Sequence, residues 1–153
     1  HFRNPHFCQQ LLDMLKAAGL PPSRLCLEIT EGALIDDPER TCDLLNELRS
    51  HGMSLALDDF GTGYSSLGYL HRFPLLTLKI DRSFVAPLTA PLANQGSASA
   101  AVVRAVVALA GSLGLSVVAE GIETQAQADA LCALGCHLGQ GFLFATPGPL
   151  PAP

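Results

Sequence analysis

Residues 55–70 read LALDDFGTGYSSLGYL. A short apolar run, as in a buried strand, leads into two adjacent aspartates, Asp58 and Asp59, and then into Phe-Gly-Thr-Gly. Neighbouring carboxylates repel each other and gain nothing from packing, so the pair needs a reason. An isolated Asp-Asp is also what a turn or a helix cap looks like. The Gly-Thr-Gly at 61–63 falls short of any phosphate-loop fingerprint and reads, by itself, as a flexible turn. The rest of the chain decides what the aspartates are for.

Working outward, strand-like and helix-like segments alternate. Residues 6–18 place Phe7, Leu11, Leu12, Leu15 and Ala18 at helical spacing, and Gly19 with Pro21-Pro22 stops that helix. LCLEIT (25–30) alternates as a strand does. Residues 36–52 read as a helix with Asp at its start and Gly52 at its end, and MSLAL (53–57) as the next strand. A short helix is expected over 65–71, a strand over 75–80, and a loose Ala/Pro/Ser-rich segment over 86–100. A helix over 101–112, a strand over 115–119, a helix over 124–134 and a strand over 139–144 follow, with a proline-rich tail, TPGPLPAP, closing the sequence. Repeated strand–helix alternation with apolar strands predicts parallel strands joined by helical crossovers, either a doubly wound sheet or a (β/α)8 barrel.

The strand ends favour the barrel. Glu28 and Glu31 stand at the end of the first strand, Asp58 and Asp59 at the second, Lys79 and Asp81 at the third, Glu120 and Glu123 at the fourth and Gln140 at the fifth. Chemically capable groups at the C-terminal ends of several strands define a barrel active site, whereas a doubly wound sheet gathers its site at one switch point. A complete barrel takes about 250 residues. The expectation for 153 residues and five strands is therefore an α/β, TIM-type barrel lacking its first strands.

Composition agrees and excludes alternatives. The chain is 48% hydrophobic and only 15% charged, so its segments expect burial on more than one side. A net charge of -5 argues against a nucleic-acid-binding surface, which would need a basic stripe. The longest apolar run, 100–119, is broken by Arg104, Ser112 and two glycines and reads as helix, turn and strand, not as a membrane span. No signal peptide is visible, and a cytoplasmic location is expected. Cys8, Cys26, Cys42, Cys132 and Cys136 form no CxxC pair and are expected to be buried free thiols. Cys132, Cys136 and His137 lack a second ligand cluster to complete a zinc site.

Acids converging on one mouth would repel one another unless cations sat among them. Two divalent ions roughly 3.5–4 Å apart are a recurring device for phosphodiester cleavage. Oxygen donors of this kind select hard ions such as Mg²⁺ or Mn²⁺, and Lys79 would place positive charge near developing negative charge. Bland readings exist for each acid: Glu28 as a surface residue of an edge strand, or Glu120 and Glu123 as the first turn of a helix. Each must still explain why its acid lies at the end of an apolar strand.

Five segments in order, LEITE (27–31), DDFGTGYSSLGYL (58–70), LKIDRSFV (78–85), VVAEGIET (117–124) and GCHLGQGFLF (135–144), resemble the EAL-domain cyclic di-GMP phosphodiesterases of bacteria. The likeness runs over residues 1–147, leaving 148–153 as tail. It implies a (β/α)8 barrel that opens one phosphodiester of cyclic di-GMP to give linear pGpG with two Mg²⁺ or Mn²⁺ ions. By that resemblance Glu28 is a ligand of the first metal, Asp58 bridges both and Asp59 binds the second. Lys79 holds the nucleophilic water, and Glu120 is the general base or a second-metal ligand. Gln140 touches the second metal's water shell, and Asp81 and Glu123 support the site. Glu31 resembles a glutamate that anchors the loop 60–67, which orders the metal site and a dimer interface. Attached cyclase or regulatory domains are common in such proteins.

The sequence also departs from the family. The name-giving Glu-Ala-Leu segment and the asparagine of a VNxS-type strand, both first-metal ligands, do not occur in it, and 86–100 is longer than usual. An isolated chain without those ligands is expected to hold the first metal weakly. The alternatives are a catalytically inactive module that binds cyclic di-GMP or a protein partner, and a structural role in which exposed barrel edges pair with another chain.

Overall fold

A computed structural model describes residues 4, 6–35, 37–62, 70–88 and 97–148. Its elements are α1 (Phe7–Ala17), β1 (Cys26–Thr30), α2 (Glu31–Ile35), α3 (Pro38–Ser50), β2 (Ser54–Phe60), β3 (Thr77–Ile80), α4 (Arg82–Val85), α5 (Ala98–Leu113), β4 (Ser116–Ala119), α6 (Gln125–Ala133) and β5 (Leu138–Gly139). The strands form one sheet in the order β1-β2-β3-β4-β5, every neighbouring pair parallel. Among the described strands the order never reverses, so they form no switch point of the doubly wound kind. The sheet is an open five-stranded arc of α/β type, an incomplete barrel.

Alternation along the strands sorts the side chains into two sets. Ile29, Leu55, Leu57, Leu78, Ile80 and Ala119 point to one face and are all buried. They join one core with Leu45 and Leu48 of α3, Val103, Val106 and Ala110 of α5, and Ala130 and Leu131 of α6. Burying one such aliphatic side chain contributes about 1.5–3 kcal/mol, so this face holds the helices to the sheet. The register puts Glu28 opposite Ala56, Thr30 opposite Asp58 and Lys79 opposite Val118, so the other face carries the polar set.

The helices start where their caps direct. Asp37 accepts from the Arg40 amide at 3.2 Å at the head of α3, and Ser97 from the Ala100 amide at 3.1 Å at the head of α5. The Ser97 cap starts α5 a few residues ahead of the expected 101. Thr124 and Gln127 form a reciprocal capping box on α6. Two short helices, α2 and α4, replace what reads as loop.

Two further expectations change. The strand expected over 139–144 is only Leu138–Gly139, followed by a turn in which the Leu143 amide donates to the Ile122 carbonyl at 3.0 Å. Gly141 is pressed so closely to Ile122 that an added Cβ would lie 2.1 Å from the Ile122 carbonyl oxygen, and this diverts the chain out of the ladder. The cysteines are all free thiols, but only Cys8 and Cys136 are buried: Cys26 alternates onto the polar face of β1 and is exposed, as is Cys132 on α6, while Cys42 is half-buried. The helix expected over 65–71 and the loose 86–100 segment fall largely outside the described residues, as does most of the tail. No helix among the described residues is long and apolar enough to cross a membrane.

Candidate metal and catalytic site

Lys79 is the hub. It lies on the polar face of β3, its side chain only 6% exposed, and its ammonium reaches Glu28 Oε1 at 2.6 Å on β1, Asp58 Oδ1 at 3.3 Å on β2, and Glu120 Oε1 just beyond β4. Burial by itself would push a lysine down; the hydrogen bonds to Glu120 and Glu28 and the charge of Asp58 outweigh it and raise Lys79 above its ordinary range. The ammonium therefore stays charged and ties three strands together. Glu28, Asp58 and Lys79 lie inside their strands and not beyond the ends, and the carboxylates gather because parallel register places them side by side.

Asp59 reaches the same place by a different device. Between the pairs Leu57–Leu78 and Phe60–Ile80, two residues of β2, Asp58 and Asp59, lie against the single Lys79 of β3, a one-residue bulge. Asp59 is the extra residue, held at φ 55°, a left-handed conformation that asparagine and aspartate tolerate better than most residues. Its amide donates to Asp58 Oδ1 at 3.0 Å, and its carbonyl accepts from Thr62 Oγ1 at 2.9 Å. Without the bulge, adjacent side chains would point to opposite faces. With it, carboxylate oxygens of Asp58, Asp59 and Glu120 lie within 4.8 Å of one another.

Burial, then Asp58 and Asp81, pushes the Asp59 carboxyl above its usual value, with Lys79 acting the other way. Asp81 is held below its usual value chiefly by a hydrogen bond from the Ser83 hydroxyl, burial opposing. Gln140 donates from Nε2 to Glu120 Oε1 at 2.8 Å. Asp59, Asp81, Glu120, Glu123 and Gln140 line one cleft of about 590 Å³. The donor set fits hard divalent cations: all oxygen, three carboxylates converging, and more negative charge than Lys79 offsets.

Glu31 stands apart. It opens α2, is buried, and accepts from the Gly61 amide through Oε2 at 3.4 Å, while its Oε1 is buried without a hydrogen-bond partner among the described residues. Its bond to Gly61 ties it to the loop after the aspartates.

Sequence reasoning missed several residues. Arg82 and Phe142 line the cleft, Phe142 63% exposed. Gly121 packs on Arg82 so tightly that a Cβ would meet the Arg82 Cβ at 2.6 Å. Gln127 is buried, accepts from the Glu123 amide at 2.8 Å and donates to the Ala86 carbonyl at 3.4 Å, fixing the backbone that carries Glu123. The Thr124-x-x-Gln127 spacing is a capping-box pattern that marks this residue; the tight glycine contacts leave no such mark.

A parallel arc whose polar face gathers acids around one lysine defines an α/β-barrel, metal-dependent class of site. The EAL domain family matches residues 1–147, and the chain belongs to that family. It is 48% identical over 137 residues to the cyclic di-GMP phosphodiesterase RocR of Pseudomonas aeruginosa, covering 89% of this chain and 33% of that protein. It is 47% identical over 131 residues to the bifunctional diguanylate cyclase/cyclic di-GMP phosphodiesterase MucR of the same organism, covering 86% and 18%. Of solved structures, the MucR phosphodiesterase in complex with c-di-GMP superposes with a TM-score of 0.88 at 42% identity, over 97% of this chain and 64% of that one. The manganese/cyclic di-GMP complex of Klebsiella pneumoniae BlrP1 gives 0.83 at 38%, over 95% and 36%. The chain spans about a fifth of the length of other curated relatives that it matches.

Proposed function

We propose that residues 1–147 are part of a domain that hydrolyses cyclic di-GMP to linear pGpG with two Mg²⁺ or Mn²⁺ ions, residues 148–153 being a tail. The observation that carries the reading is the convergence of Asp58, Asp59 and Glu120 beside Lys79, in a family whose relatives include cyclic di-GMP phosphodiesterases. Glu28, Asp58, Asp59 and Glu120 are the residues that would hold the ions, with Gln140 at their edge. Bound there, two such ions would supply an activated water and charge neutralisation at the phosphodiester.

The remaining steps belong to the chain's own groups. Lys79, kept cationic, stabilises negative charge on the attacking oxygen and the phosphoryl group. Glu120 accepts the proton of the attacking water, its carboxylate oriented by the Gln140 amide. Asp81 and Glu123 shape the cleft around the substrate, and Glu31 fixes the loop that follows Asp59. In this reading the domain acts in the cytoplasm, in a longer protein with cyclase or regulatory parts, and pairs as a homodimer through the loop beside Glu31.

A second reading is a non-catalytic module that binds cyclic di-GMP; of the first-metal ligands that the resemblance implies, Glu28 and the bridging Asp58 are in the given sequence. Incubation with cyclic di-GMP and Mn²⁺, followed by chromatography, separates the two. The expected result is Mn²⁺-dependent pGpG that Glu120→Gln abolishes. Binding without turnover would move the chain to the second reading, and neither binding nor turnover in a folded sample would overturn both.

A further inference from the structure

Away from the carboxylates, three side chains of different chemistry meet between α1 and α3. Cys8 lies in the first turn of α1 and is 2% exposed. Glu47 and His51 stand four residues apart at the C-terminal end of α3, one above the other on the same helix face, and both are exposed. One ligand atom from each, a thiol sulfur, a carboxylate oxygen and an imidazole nitrogen, lies within 4.8 Å of the other two. In a tetrahedral zinc site with bonds of about 2.0–2.3 Å, neighbouring ligand atoms stand about 3.3–3.6 Å apart. Closing the gap takes adjustments of about 1 Å, within reach of the rotamers of two exposed side chains.

Glu47 lies close enough to the thiol to act on it. Burial, and then Glu47, pushes this thiol up to about 11, which makes Cys8 a poor nucleophile at neutral pH and sets aside a reactive-thiol role. Charge balance favours a cation: a thiolate and a carboxylate together neutralise one divalent ion, leaving no net charge at the buried end. The mixed S, N, O set selects zinc-class ions over the Mg²⁺ or Mn²⁺ that suit the carboxylate face. His51 precedes the first residue of β2 by three positions, while Asp58 and Asp59 lie near that strand's other end. The clusters are thus separate sites.

We infer that Cys8, Glu47 and His51 form a site for a zinc-class divalent cation that fastens α1 to α3. On binding, Cys8 Sγ releases its proton to solvent and the three groups ligate the ion; water fills the fourth position on the exposed side, and no electrons are transferred. This site stands or falls independently of phosphodiesterase activity.

Titration of the metal-free chain with Cd²⁺ or Co²⁺, in excess Mg²⁺, tests it. The expected result is a thiolate-to-metal charge-transfer band that saturates at one ion per chain, with a rise in melting temperature. Cys8→Ser removes the band, and a Cys26→Ser/Cys132→Ser variant, lacking the exposed thiols, keeps it. His51→Ala and Glu47→Gln alter exposed side chains and so retain the fold; each weakens binding at least about tenfold. No band in the folded wild-type chain, a band that survives Cys8→Ser, or unchanged affinity in His51→Ala would each overturn the site.

Discussion

The two faces of the same five strands differ in what they hold. On one face Leu55, Leu57, Leu78 and Ile80 are each no more than 1% exposed and lock the helices in place. On the other, Glu28, Asp58, Lys79 and Glu120 share ion pairs in a face that remains half open, with Glu28 49% exposed at its side chain. The first set lowers the free energy of the fold through burial. The second gathers like charges whose mutual repulsion Lys79 relieves in part. Successive residues of one strand thus serve opposite ends, and period-two geometry keeps stability and chemistry on separate surfaces.

That division gives substitutions that tell the faces apart. On the polar face, Glu120→Gln removes a proton acceptor while keeping the Lys79 and Gln140 neighbours; turnover of cyclic di-GMP is expected to fall about 10²–10⁴-fold with the melting temperature nearly unchanged. On the apolar face, Leu78→Ala leaves a cavity in a fully buried layer and is expected to cost about 2–5 kcal/mol in urea unfolding. If it lowered turnover as much as Glu120→Gln without loss of stability, the separation of the faces would be wrong.

A smaller effect is expected at the join between β4 and β5. Gly141→Ala drives a methyl group against the Ile122 backbone and should cost about 1–3 kcal/mol, read as a lower denaturation midpoint. The smallest comes from Asp59. Its folded pKa lies above the ordinary 3.8, so it takes up a proton on folding just above that pH. Its contribution therefore opposes folding at neutral pH and fades as the pH falls. Asp59→Asn removes the opposition and suits the left-handed backbone, so without divalent ions it should stabilise by less than about 1 kcal/mol at pH 7, the gain shrinking towards pH 4. A loss of stability at neutral pH would show the repulsion at this site to be balanced already.

Most of the polar face was legible in the sequence because strand alternation and parallel register turn residue spacing directly into position. Glu28, Asp58, Lys79 and Glu120 needed only that rule. Asp59 did not follow from it: a bulge and a left-handed φ bring it to the site, and neither has a mark in Asp-Asp-Phe-Gly. The helices α2 and α4 are too short to show a period, and Arg82 was passed over with the second of them. The end of β5 depends on the approach of Gly141 to Ile122 across the fold, which no local pattern records. The Cys8, Glu47 and His51 cluster spans two helices and was equally hidden.

The central claim is that the polar face of the arc is built for divalent cations. Mn²⁺ binding followed by electron paramagnetic resonance, in wild type and in Asp58→Asn/Asp59→Asn, tests it without reliance on turnover. The expected result is bound Mn²⁺ in the wild-type chain, with a melting temperature that rises with ion concentration, as binding to the folded state alone requires, and loss of both in the double variant. Mn²⁺ binding of equal strength in the two folded proteins would contradict the account.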